Sequence, residues 1–238
     1  SYITGKNNTM EIIAMIPARM GSKRVPKKNI RILKDKPLIQ YPINLALQCT
    51  KLSEIWINTE SELLGRYAET LGVKFYKRPE ELASDQATNR EFMYDFLKKH
   101  ECDYVVMINP TSPLISKDTM NNMIKMLESD EYDTILSTVA EKTECFFKQK
   151  PVNFDRNEKI NSQLIEPVYR TVWALTAWKR DTFIKNQENH INPIFNGKIG
   201  LFQIPKYESC DIDVEEDWIV AEKNLNCHNG NSPRYLEL

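Results

Sequence analysis

The sequence predicts an α/β fold with a mostly parallel sheet and helices on both of its faces. Three observations indicate this. Short apolar runs, typical of buried strands, alternate with longer segments of helical periodicity along most of the chain. Parallel strands need crossover connections, and the intervening helices supply them. The length of 238 residues suits one such domain with a single core, or a domain that carries a modest insertion.

The predicted elements follow one another in a regular order through residue 139. Strands are predicted at residues 12–18, 55–59, 74–76, 104–109 and 134–139, and helices at residues 38–48, 61–71, 89–99 and 117–128. Pro37 suits the first turn of the first helix, because an N–H group there has no helical partner to lose. Ser61 suits the N-cap of the second helix, and Gly72 suits its C-terminal end.

The alternation breaks in the second half of the chain. Residues 141–166 are polar and contain the aromatic pair Phe146–Phe147. Strands are then predicted at residues 171–177 and 199–204, and a final helix at residues 214–224. We interpret residues 141–170 as an arm inserted into the domain, and we expect it to be a dimer contact.

Composition gives the limits of the predicted domain. Of the residues, 41% are hydrophobic, which is enough for a sizeable core. Residues 1–9 are polar and are interpreted as a tag or disordered leader, so the predicted single domain covers residues 10–238. No apolar stretch reaches the roughly 18 residues that a membrane span requires, so no membrane partner is predicted.

Charge and cysteine content narrow the class of protein and its compartment. The formal net charge of -1 gives no reason to expect a nucleic-acid partner, and a local basic patch favours a small anionic ligand. The five cysteines are odd in number and show no CxxC spacing. We therefore predict neither a disulfide framework nor a zinc site, and the cytoplasm is the predicted location.

A basic loop, residues 17–29, directly follows the first predicted strand. Residues 12–34 contain no acidic residue and carry seven positive charges, on Arg19, Lys23, Arg24, Lys27, Lys28, Arg31 and Lys34. The loop offers backbone N–H groups around Gly21, the Ser22 hydroxyl and several cations, and these together suit a triphosphate. The alternative is a solvated surface loop, and the charge run alone does not decide between the two.

The spacing within the basic loop differs from two common nucleotide sites. A Walker A loop would need a second glycine before its Lys-Ser/Thr pair, and the loop also lacks the GxGxxG pattern. The sequence therefore predicts neither an ATPase nor a dinucleotide-dependent oxidoreductase. The place of the loop after the first strand of an α/β sheet favours phosphate binding.

Two acidic residues precede the last predicted helix. In an extended segment, Asp211 and Asp213 point to the same side. Two carboxylates on one side can hold a Mg²⁺ ion that also binds phosphate oxygens, so the pair predicts a Mg²⁺ site. The alternative is that acids near a helix N-terminus complement its dipole, and this suffices for Glu215 and Glu216. Asp217 is a candidate to support the metal ligands.

Four segments, in order along the chain, are similar to the signatures of one known family. They are residues 16–39, which include IPARMGSKR, PKKN and KPLI, then residues 78–85 (RPEELASD), 109–114 (NPTSPL) and 211–213 (DID). Together they resemble the acylneuraminate cytidylyltransferase family, the CMP-sialic acid synthetases and their relatives acting on other nonulosonic acids. The resemblance extends along nearly the whole chain from Met10.

The resemblance implies a Rossmann-like nucleotidyltransferase fold and a reaction without a covalent enzyme intermediate. The anomeric hydroxyl of a nonulosonic, sialic-acid-like sugar acid would attack the α-phosphate of CTP, giving the CMP-sugar and pyrophosphate. Arg19 and Lys23 would be the catalytic cations, and Asp211 and Asp213 would hold the Mg²⁺ cofactor. CTP and the sugar acid would be the small-molecule partners of a homodimer.

The resemblance also assigns binding roles to individual residues. The nucleotide would bind Ala18, Arg19, Gly21, Ser22, Lys23, Lys28, Asn29, Arg78 and Asn89. The sugar acid would bind Asn109, Thr111, Ser112, Gln163 and Tyr169. Without the resemblance, Arg78 is predicted only as an exposed loop cation, because it stands before a proline. The three histidines lie outside every motif, so a histidine base is not predicted.

The segments on the sugar side depart from the family pattern. Asn109 replaces a glutamine, and Ile115 replaces an arginine that often follows that segment. Val172–Trp173 replaces an Asn-Gly pair, and Thr176 replaces a tyrosine. Because Val-Trp fills space and removes hydrogen bonds, we predict an acceptor other than N-acetylneuraminic acid itself. The alternative is that Trp173 and Trp178 are core residues of a strand, which we favour for at least one of them.

Two other classes of protein share part of this pattern. Nucleotide-sugar-dependent glycosyltransferases also combine an α/β nucleotide domain with a DxD metal pair. Their pair usually ends a middle strand, however, and they lack the basic loop. A catalytically inactive nucleotide-binding homologue is the other alternative. The loop cations and the acidic pair together argue against it, because a protein without activity does not need both.

Overall fold

The computed structural model describes residues 9–159 and 161–227 of the protein. Its strands and helices follow the chain as β1 (Ile12–Pro17), β2 (Ile32–Leu33), β3 (Lys36–Pro37), α1 (Gln40–Leu47), β4 (Glu54–Thr59), α2 (Glu62–Thr70), β5 (Lys74–Lys77), α3 (Asn89–Lys99), β6 (Tyr104–Ile108), α4 (Lys117–Glu128), β7 (Thr134–Glu141), β8 (Phe146–Phe147), β9 (Lys150–Pro151), β10 (Val168–Lys179), α5 (Arg180–Glu188), β11 (Ile199–Gln203) and α6 (Glu215–Cys227). Short 3-10 helices lie at Lys28–Ile30, Glu80–Ala83, Ser162–Leu164 and Lys206–Glu208.

A seven-stranded sheet forms the centre of the protein, in the order β11-β7-β10-β6-β1-β4-β5. Its neighbouring strands are parallel except at β10, which runs antiparallel to both β6 and β7. The strands β1 and β6 lie near the middle and consist almost entirely of buried apolar residues, as expected where both faces are covered. The predicted mostly parallel α/β sheet is confirmed.

Helices cover both faces of the sheet, as predicted. Ile12, Ala14 and Ile16 of β1 pack in one cluster with buried residues of α1, α2 and α4. Ile13 and Met15 point to the opposite face and pack with buried residues of α3 and α5. The alternation of side chains along one strand thus joins two layers of helices to the sheet.

A third apolar cluster lies beneath the basic loop. Val25, Leu33 and Leu38 pack there against Ile212 and Trp218. These residues belong to two segments that are far apart in the sequence. The cluster therefore holds the basic loop against the acidic segment and the start of α6.

Capping residues place the helix starts where the sequence predicts them. The helices α3 and α4 have the predicted bounds. Thr88 and Glu91 form a capping box at the start of α3, and the Ser116 hydroxyl caps α4. Ser61 caps α2, and Gly72 follows that helix with a φ of 96°, as its predicted role requires.

Two helices differ from the predictions. The helix α1 begins at Gln40, because Pro37 belongs to the short pair formed by β2 and β3. Pro42, not Pro37, takes a place in its first turn. The helix α5 is absent from the predictions. Phe183 is its buried residue, so its sequence shows little of the apolar periodicity that indicates a helix.

The predicted arm, residues 141–170, has little regular structure between β7 and β10. Within it, β8 and β9 pair through two residues each. The side chains of Phe146 and Phe147 are 62% and 67% exposed. The arm is thus a surface segment with exposed aromatic side chains, and its role as a dimer contact stays a prediction.

Residues 1–8, 160 and 228–238 lie outside the described residues. The leader predicted at residues 1–9 and the domain predicted at residues 10–238 therefore stay predictions. In the described part of the chain, no helix combines the length and the apolar character that crossing a membrane needs. The cysteines described there, Cys49, Cys102, Cys145 and Cys210, are free thiols.

Candidate functional site

A cleft of about 190 Å³ lies where β1 and β6 end at their carboxyl edge. Parallel α/β sheets bind ligands at this edge. Nine residues predicted to bind substrates line the cleft: Ala18, Arg19, Ser22, Lys28, Asn29, Arg78, Asn89, Asn109 and Thr111. The apolar part of the wall comes from Pro17, Phe92, Met107 and Pro110. Residues from four distant parts of the sequence therefore meet in one place.

Hydrogen bonds within the basic loop fix its shape. The Ser22 hydroxyl donates to the carbonyl oxygen of Val25 at 2.7 Å and accepts from the Lys28 N–H at 3.0 Å. The buried amide of Asn29 donates to the carbonyl oxygen of Arg19 at 2.9 Å. Ser22 and Asn29 thus hold the loop in a turn, and the cations are carried on a defined backbone.

The start of the basic loop is fastened to β4. The Ala18 N–H donates to the carbonyl oxygen of Asn58 at 3.0 Å, and the Met20 N–H donates to Oε1 of Glu60 at 2.7 Å. The next residue, Gly21, has open space beside it, since an added Cβ would meet only the Arg19 guanidinium at 4.0 Å. The loop therefore leaves room for a ligand at this turn.

Asp85 joins the two cations predicted to be catalytic. Its Oδ1 lies 2.6 Å from NH1 of Arg19, and its Oδ2 lies 2.6 Å from Nζ of Lys23. Hydrogen bonds from Lys23 and Arg19 lower the pKa of Asp85 to about 2. Sequence reasoning missed this residue. Asp85 stands in the RPEELASD segment, but nothing in the spacing indicates that it reaches a loop about sixty residues earlier.

Arg78 is buried, and the prediction of an exposed loop cation is wrong. Its Nε donates to Oδ1 of Asn58 at 2.9 Å, and its NH2 donates to the Asn58 carbonyl oxygen at 3.0 Å. Its guanidinium lies 4.1 Å from the ring centroid of Phe92. Burial lowers the pKa of Arg78 to about 10, so the group stays charged near neutral pH.

The acidic segment meets the cleft through two hydrogen bonds made by the backbone of Ile212. Lys28 donates from Nζ to the carbonyl oxygen of Ile212 at 2.9 Å, and the Ile212 N–H donates to the carbonyl oxygen of Thr111 at 2.9 Å. Ile212 therefore links the basic loop to the loop that follows β6. Asp211 and Asp213 flank this residue, so the structure brings the predicted acidic pair beside the predicted phosphate site.

The two carboxylates of the acidic pair influence each other. The Asp211 side chain is accessible to solvent, but the protein atoms around it restrict its hydration and raise its pKa. The charge of Asp213 raises that pKa further, whereas Thr111 and Lys28 oppose the rise. Restricted hydration also lowers the pKa of the Lys28 ammonium, against the effect of both carboxylates. Arg24 approaches Asp213 at 3.7 Å.

The donor set fits Mg²⁺ only if a ligand contributes further oxygens. No group of three or more His, Cys, Asp or Glu side chains suited to a metal ion occurs among the described residues. Asp217 is engaged elsewhere, because its Oδ2 accepts from the N–H groups of Asp213 and Val214, each at 2.9 Å. Asp211 and Asp213 remain as a pair of oxygen ligands, and Mg²⁺ is commonly held by one or two carboxylates together with substrate phosphates.

The acids that follow the pair belong to the framework of α6. Glu215 forms two hydrogen bonds with the Arg31 guanidinium, at 2.6 and 2.7 Å. The same guanidinium lies 4.2 Å from the ring of Trp218. This ion pair supports the interpretation of Glu215 as a helix-terminal acid.

The residues predicted for the sugar acid fall into two groups. Asn109 and Thr111 line the cleft, and Oδ1 of Asn109 accepts from the Thr111 N–H at 3.2 Å. Ser112 is buried behind them, and its hydroxyl has no hydrogen-bond partner among the described residues. Gln163 and Tyr169 lie exposed on the arm and do not line the cleft. A single chain therefore does not bring all five together.

The Val172–Trp173 pair lies at an irregularity of β10, where the register with β7 shifts between Thr171 and Thr176. Val172 is buried, whereas Trp173 is half-buried and packs against the cluster that contains Met107 and Phe92. Both of those residues also line the cleft. Trp173 itself does not line the cleft, and its ring lies 5.6 Å from that of Phe195. The next residue, Ala174, accepts a hydrogen bond from the Asn109 N–H at 3.0 Å.

Trp178 is a core residue, as predicted for at least one of the two tryptophans. Its side chain is 1% exposed, and its indole N–H donates to the carbonyl oxygen of Ile194 at 3.2 Å. Thr176 lies in the core as well. Its hydroxyl has no hydrogen-bond partner within the described part of the chain.

Comparison with known proteins gives consistent results. A family model described as cytidylyltransferase matches residues 13–226. N-acylneuraminate cytidylyltransferase B of Danio rerio is 28% identical over 218 residues, which are 89% of this chain and 51% of the relative. The N-acylneuraminate cytidylyltransferase of Escherichia coli is 33% identical over 230 residues, which are 89% and 51%. The chain spans about half the length of these two relatives.

A third relative has nearly the length of this chain. The CMP-N,N'-diacetyllegionaminic acid synthase of Legionella pneumophila is 30% identical over 226 residues, covering 90% of this chain and 96% of its own. Solved structures agree on the fold. CMP:2-keto-3-deoxy-manno-octonic acid synthetase, complexed with CTP, matches with a TM-score of 0.68 at 17% identity, over 91% of this chain and 98% of its own.

A second solved structure also shares the fold. The 4-diphosphocytidyl-2C-methyl-D-erythritol synthase of Anaerococcus prevotii matches with a TM-score of 0.66 at 13% identity, over 92% of this chain and 97% of its own. The likeness of both structures concerns the fold alone. The family match and the relative of similar length decide the membership of this chain. The protein belongs to the cytidylyltransferase family that includes the N-acylneuraminate cytidylyltransferases.

Proposed function

We propose that the protein transfers the cytidylyl group of CTP to the anomeric hydroxyl of a nonulosonic, sialic-acid-like sugar acid. The products are the CMP-sugar and pyrophosphate. One observation carries the proposal: the basic loop and the acidic segment, 184 residues apart at Lys28 and Ile212, meet at the edge of one cleft. Cations for a triphosphate and carboxylates for a metal ion are thereby placed side by side.

The basic loop would receive the triphosphate. Arg19 and Lys23 of this loop carry positive charge, and they would stabilise the negative charge that develops on the leaving pyrophosphate. The Ser22 hydroxyl already forms two hydrogen bonds within the loop, so its role in this proposal is to fix the loop. Asn29 acts in the same way through its hydrogen bond to Arg19.

The nucleoside would lie on the side of Arg78 and Asn89. Asn89 is the first residue of α3, and its exposed side chain borders the cleft. Arg78 is held by Asn58 and Phe92, so its guanidinium has little freedom to move. A fixed donor of this kind suits recognition of a base, because the hydrogen-bond pattern of the donor is set before binding.

Asp211 and Asp213 would hold Mg²⁺ together with phosphate oxygens of the nucleotide. When bound, the ion would neutralise negative charge on the phosphates and help to align them. Lys28 reaches from the basic loop to the carbonyl oxygen of Ile212, between the two acids, and would keep the two halves of the site together. The reaction would depend on positioning and charge neutralisation.

The chemical step balances without a covalent intermediate. The hydroxyl oxygen of the sugar acid forms a bond to the α-phosphorus, and the bond from that phosphorus to the bridging oxygen of the β-phosphate breaks. Pyrophosphate leaves with the electron pair. The hydroxyl proton is released as the new ester forms.

We further propose that the protein acts as a homodimer through its arm. Phe146, Phe147 and Leu164 are exposed there, and large apolar side chains on a surface favour an interaction site. Gln163 and Tyr169 lie on the same arm, away from the cleft of their own chain. A second copy would explain how residues predicted to bind the sugar acid can reach a cleft. The cytoplasmic location predicted from the cysteine pattern stays a prediction.

The reaction is tested by incubating the protein with CTP, Mg²⁺ and a panel of nonulosonic acids. We expect pyrophosphate release that requires an acceptor, and we expect UTP and ATP to be poorer donors. Hydrolysis of a preformed nucleotide sugar without such release would instead favour a glycosyltransferase. Tight binding of CTP without turnover across a broad panel would favour an inactive homologue.

A further inference from the structure

Asp85 forms ion pairs with two cations of the basic loop, Arg19 and Lys23. It is the one acidic residue that forms an ion pair with Arg19 or Lys23 in the described part of the chain. Each of its two oxygens takes one of the cations, at 2.6 Å. Two oxygens of a phosphate group can bind two cations in the same way as the two oxygens of this carboxylate do.

The segment that carries Asp85 is anchored at its beginning. The Arg78 N–H donates to the carbonyl oxygen of Thr59 at 2.9 Å, and the Arg78 side chain is buried. The short helix Glu80–Ala83 and the extended Ser84 then lead to Asp85. Asp85 itself is exposed, so it can leave the cations without disturbing a packed core.

The ion pairs at Asp85 are weak enough to be exchanged. The Lys23 side chain is 82% exposed, and the Arg19 side chain is 37% exposed. Exposed pairs of this kind contribute little to stability, because water competes for both partners. Pyrophosphate and the triphosphate of a nucleotide carry several negative charges, so they attract the same cations more strongly than one carboxylate does.

We propose that Asp85 is a positioning residue that holds Arg19 and Lys23 over the cleft before nucleotide arrives and competes with phosphate for them afterwards. This inference rests on the proposed function, because it assumes that the basic loop is the phosphate site. In the free protein, Asp85 keeps two long side chains ordered. Once phosphates replace it, its negative charge stays nearby and favours the release of pyrophosphate.

The competition predicts a distinct result for Asp85→Asn. Removal of one negative charge next to a polyanion should tighten the binding of inorganic pyrophosphate by about 3- to 10-fold. Inhibition of the reaction by pyrophosphate should strengthen by the same factor. The KM for CTP should fall, whereas kcat should not rise, because the products then leave more slowly. A merely structural role would not give this combination.

The test measures pyrophosphate binding by calorimetry in the presence of Mg²⁺, with the whole chain. Glu81→Gln is the matched control, because it also removes one negative charge, four positions from Asp85. Unlike Asp85, Glu81 forms no ion pair among the described residues. Asp85→Glu, which keeps the charge, should bind pyrophosphate as the unaltered protein does. Equal melting temperatures would confirm that all variants are folded.

Unchanged or weaker binding of pyrophosphate by Asp85→Asn, with a folded protein, would overturn the inference. An equal gain in Glu81→Gln would overturn it too, since the effect would then come from net charge alone. Failure of the proposed function would give a different experimental result. In that case the unaltered protein would bind neither CTP nor pyrophosphate, and both proposals would be abandoned.

Discussion

The basic loop and the arm differ in how the chain holds them. The loop is fixed by its own side chains, by the hydrogen bond from Ala18 to Asn58 of β4, and by the apolar cluster that contains Val25. The arm has two strands of two residues and exposes Phe146 and Phe147. The residues assigned to the nucleotide therefore come together within one chain, whereas those assigned to the sugar acid do not. The residues of the nucleotide end can meet within a monomer, whereas those of the acceptor end would need a second copy of the chain to meet.

The largest expected effect concerns the nucleotide end. Asp213→Ala should reduce kcat by about 1,000-fold or more, because the metal ion would lose one of its two carboxylates. Stability should change little, since the side chain of Asp213 makes only a distant contact with Arg24. Turnover is measured by pyrophosphate release. Glu216→Ala removes a nearby exposed acid and should keep its activity, and normal activity in Asp213→Ala would refute the metal assignment.

Arg78 tests whether the nucleotide end depends on a packed framework. Arg78→Ala should lower the free energy of unfolding by about 2–4 kcal/mol, because it leaves Oδ1 of Asn58 without its donor and opens space against Phe92. Urea denaturation measures this change. Arg66→Ala, at an exposed arginine of α2, should leave the free energy of unfolding nearly unchanged. A similarly small effect at Arg78 would mean that its burial contributes no stability.

The arm tests the other side of the comparison. The double substitution Phe146→Ser and Phe147→Ser should raise the dimer dissociation constant by about 10- to 100-fold, because it removes exposed aromatic anchors. Sedimentation velocity gives the oligomeric state. Leu63→Ser, which changes an equally exposed apolar residue on α2, is the control. If the arm completes the acceptor site, the KM for the sugar acid should rise on dissociation while CTP binding persists.

The smallest effect is expected at Trp173. Trp173→Gly should change the KM for the sugar acid by about 10-fold and widen the range of accepted acids, because Trp173 precedes the residue that binds the Asn109 N–H and packs against the cluster that contains Met107 of the cleft wall. The KM for CTP should stay within about 2-fold. Steady-state kinetics with each substrate varied separately distinguish the two. An equal change in both values would show that Trp173 supports the whole cleft rather than its acceptor end.

The sequence predicts well those features that neighbouring residues determine. The helix α3 starts at the predicted residue, and the local pair Thr88 and Glu91, three positions apart, forms a capping box on that turn. The burial of Arg78 has another origin. Its partner Asn58 lies twenty residues earlier on a different strand, so local sequence gives no sign of the contact. The unpredicted α5 shows the same limit, because only tertiary packing at Phe183 distinguishes it from a polar segment.

The candidate site follows the same division. The basic loop is recognisable because its cations are closely spaced in a segment without acidic residues. Of the loop residues assigned to the nucleotide, Gly21 and Lys23 do not line the cleft, whereas the others do. The role of Asp85 as their counter-charge depends on the fold of a segment after β5. Gln163 and Tyr169 match a motif, yet their exposure on the arm places them outside the cleft of their own chain. A sequence motif does not indicate where a second copy of the chain would lie.

The contact between Lys28 and Ile212 also has a consequence for biosynthesis. During synthesis the N-terminal part of a chain leaves the ribosome first, and a domain generally folds as a unit. The basic loop is made early, but its ammonium finds its carbonyl partner 184 residues later. The cleft can therefore close only when almost all of the described chain has been synthesised. A growing chain would carry the phosphate-binding cations without the acidic pair, and it would become competent for the reaction only after the acidic segment has been made.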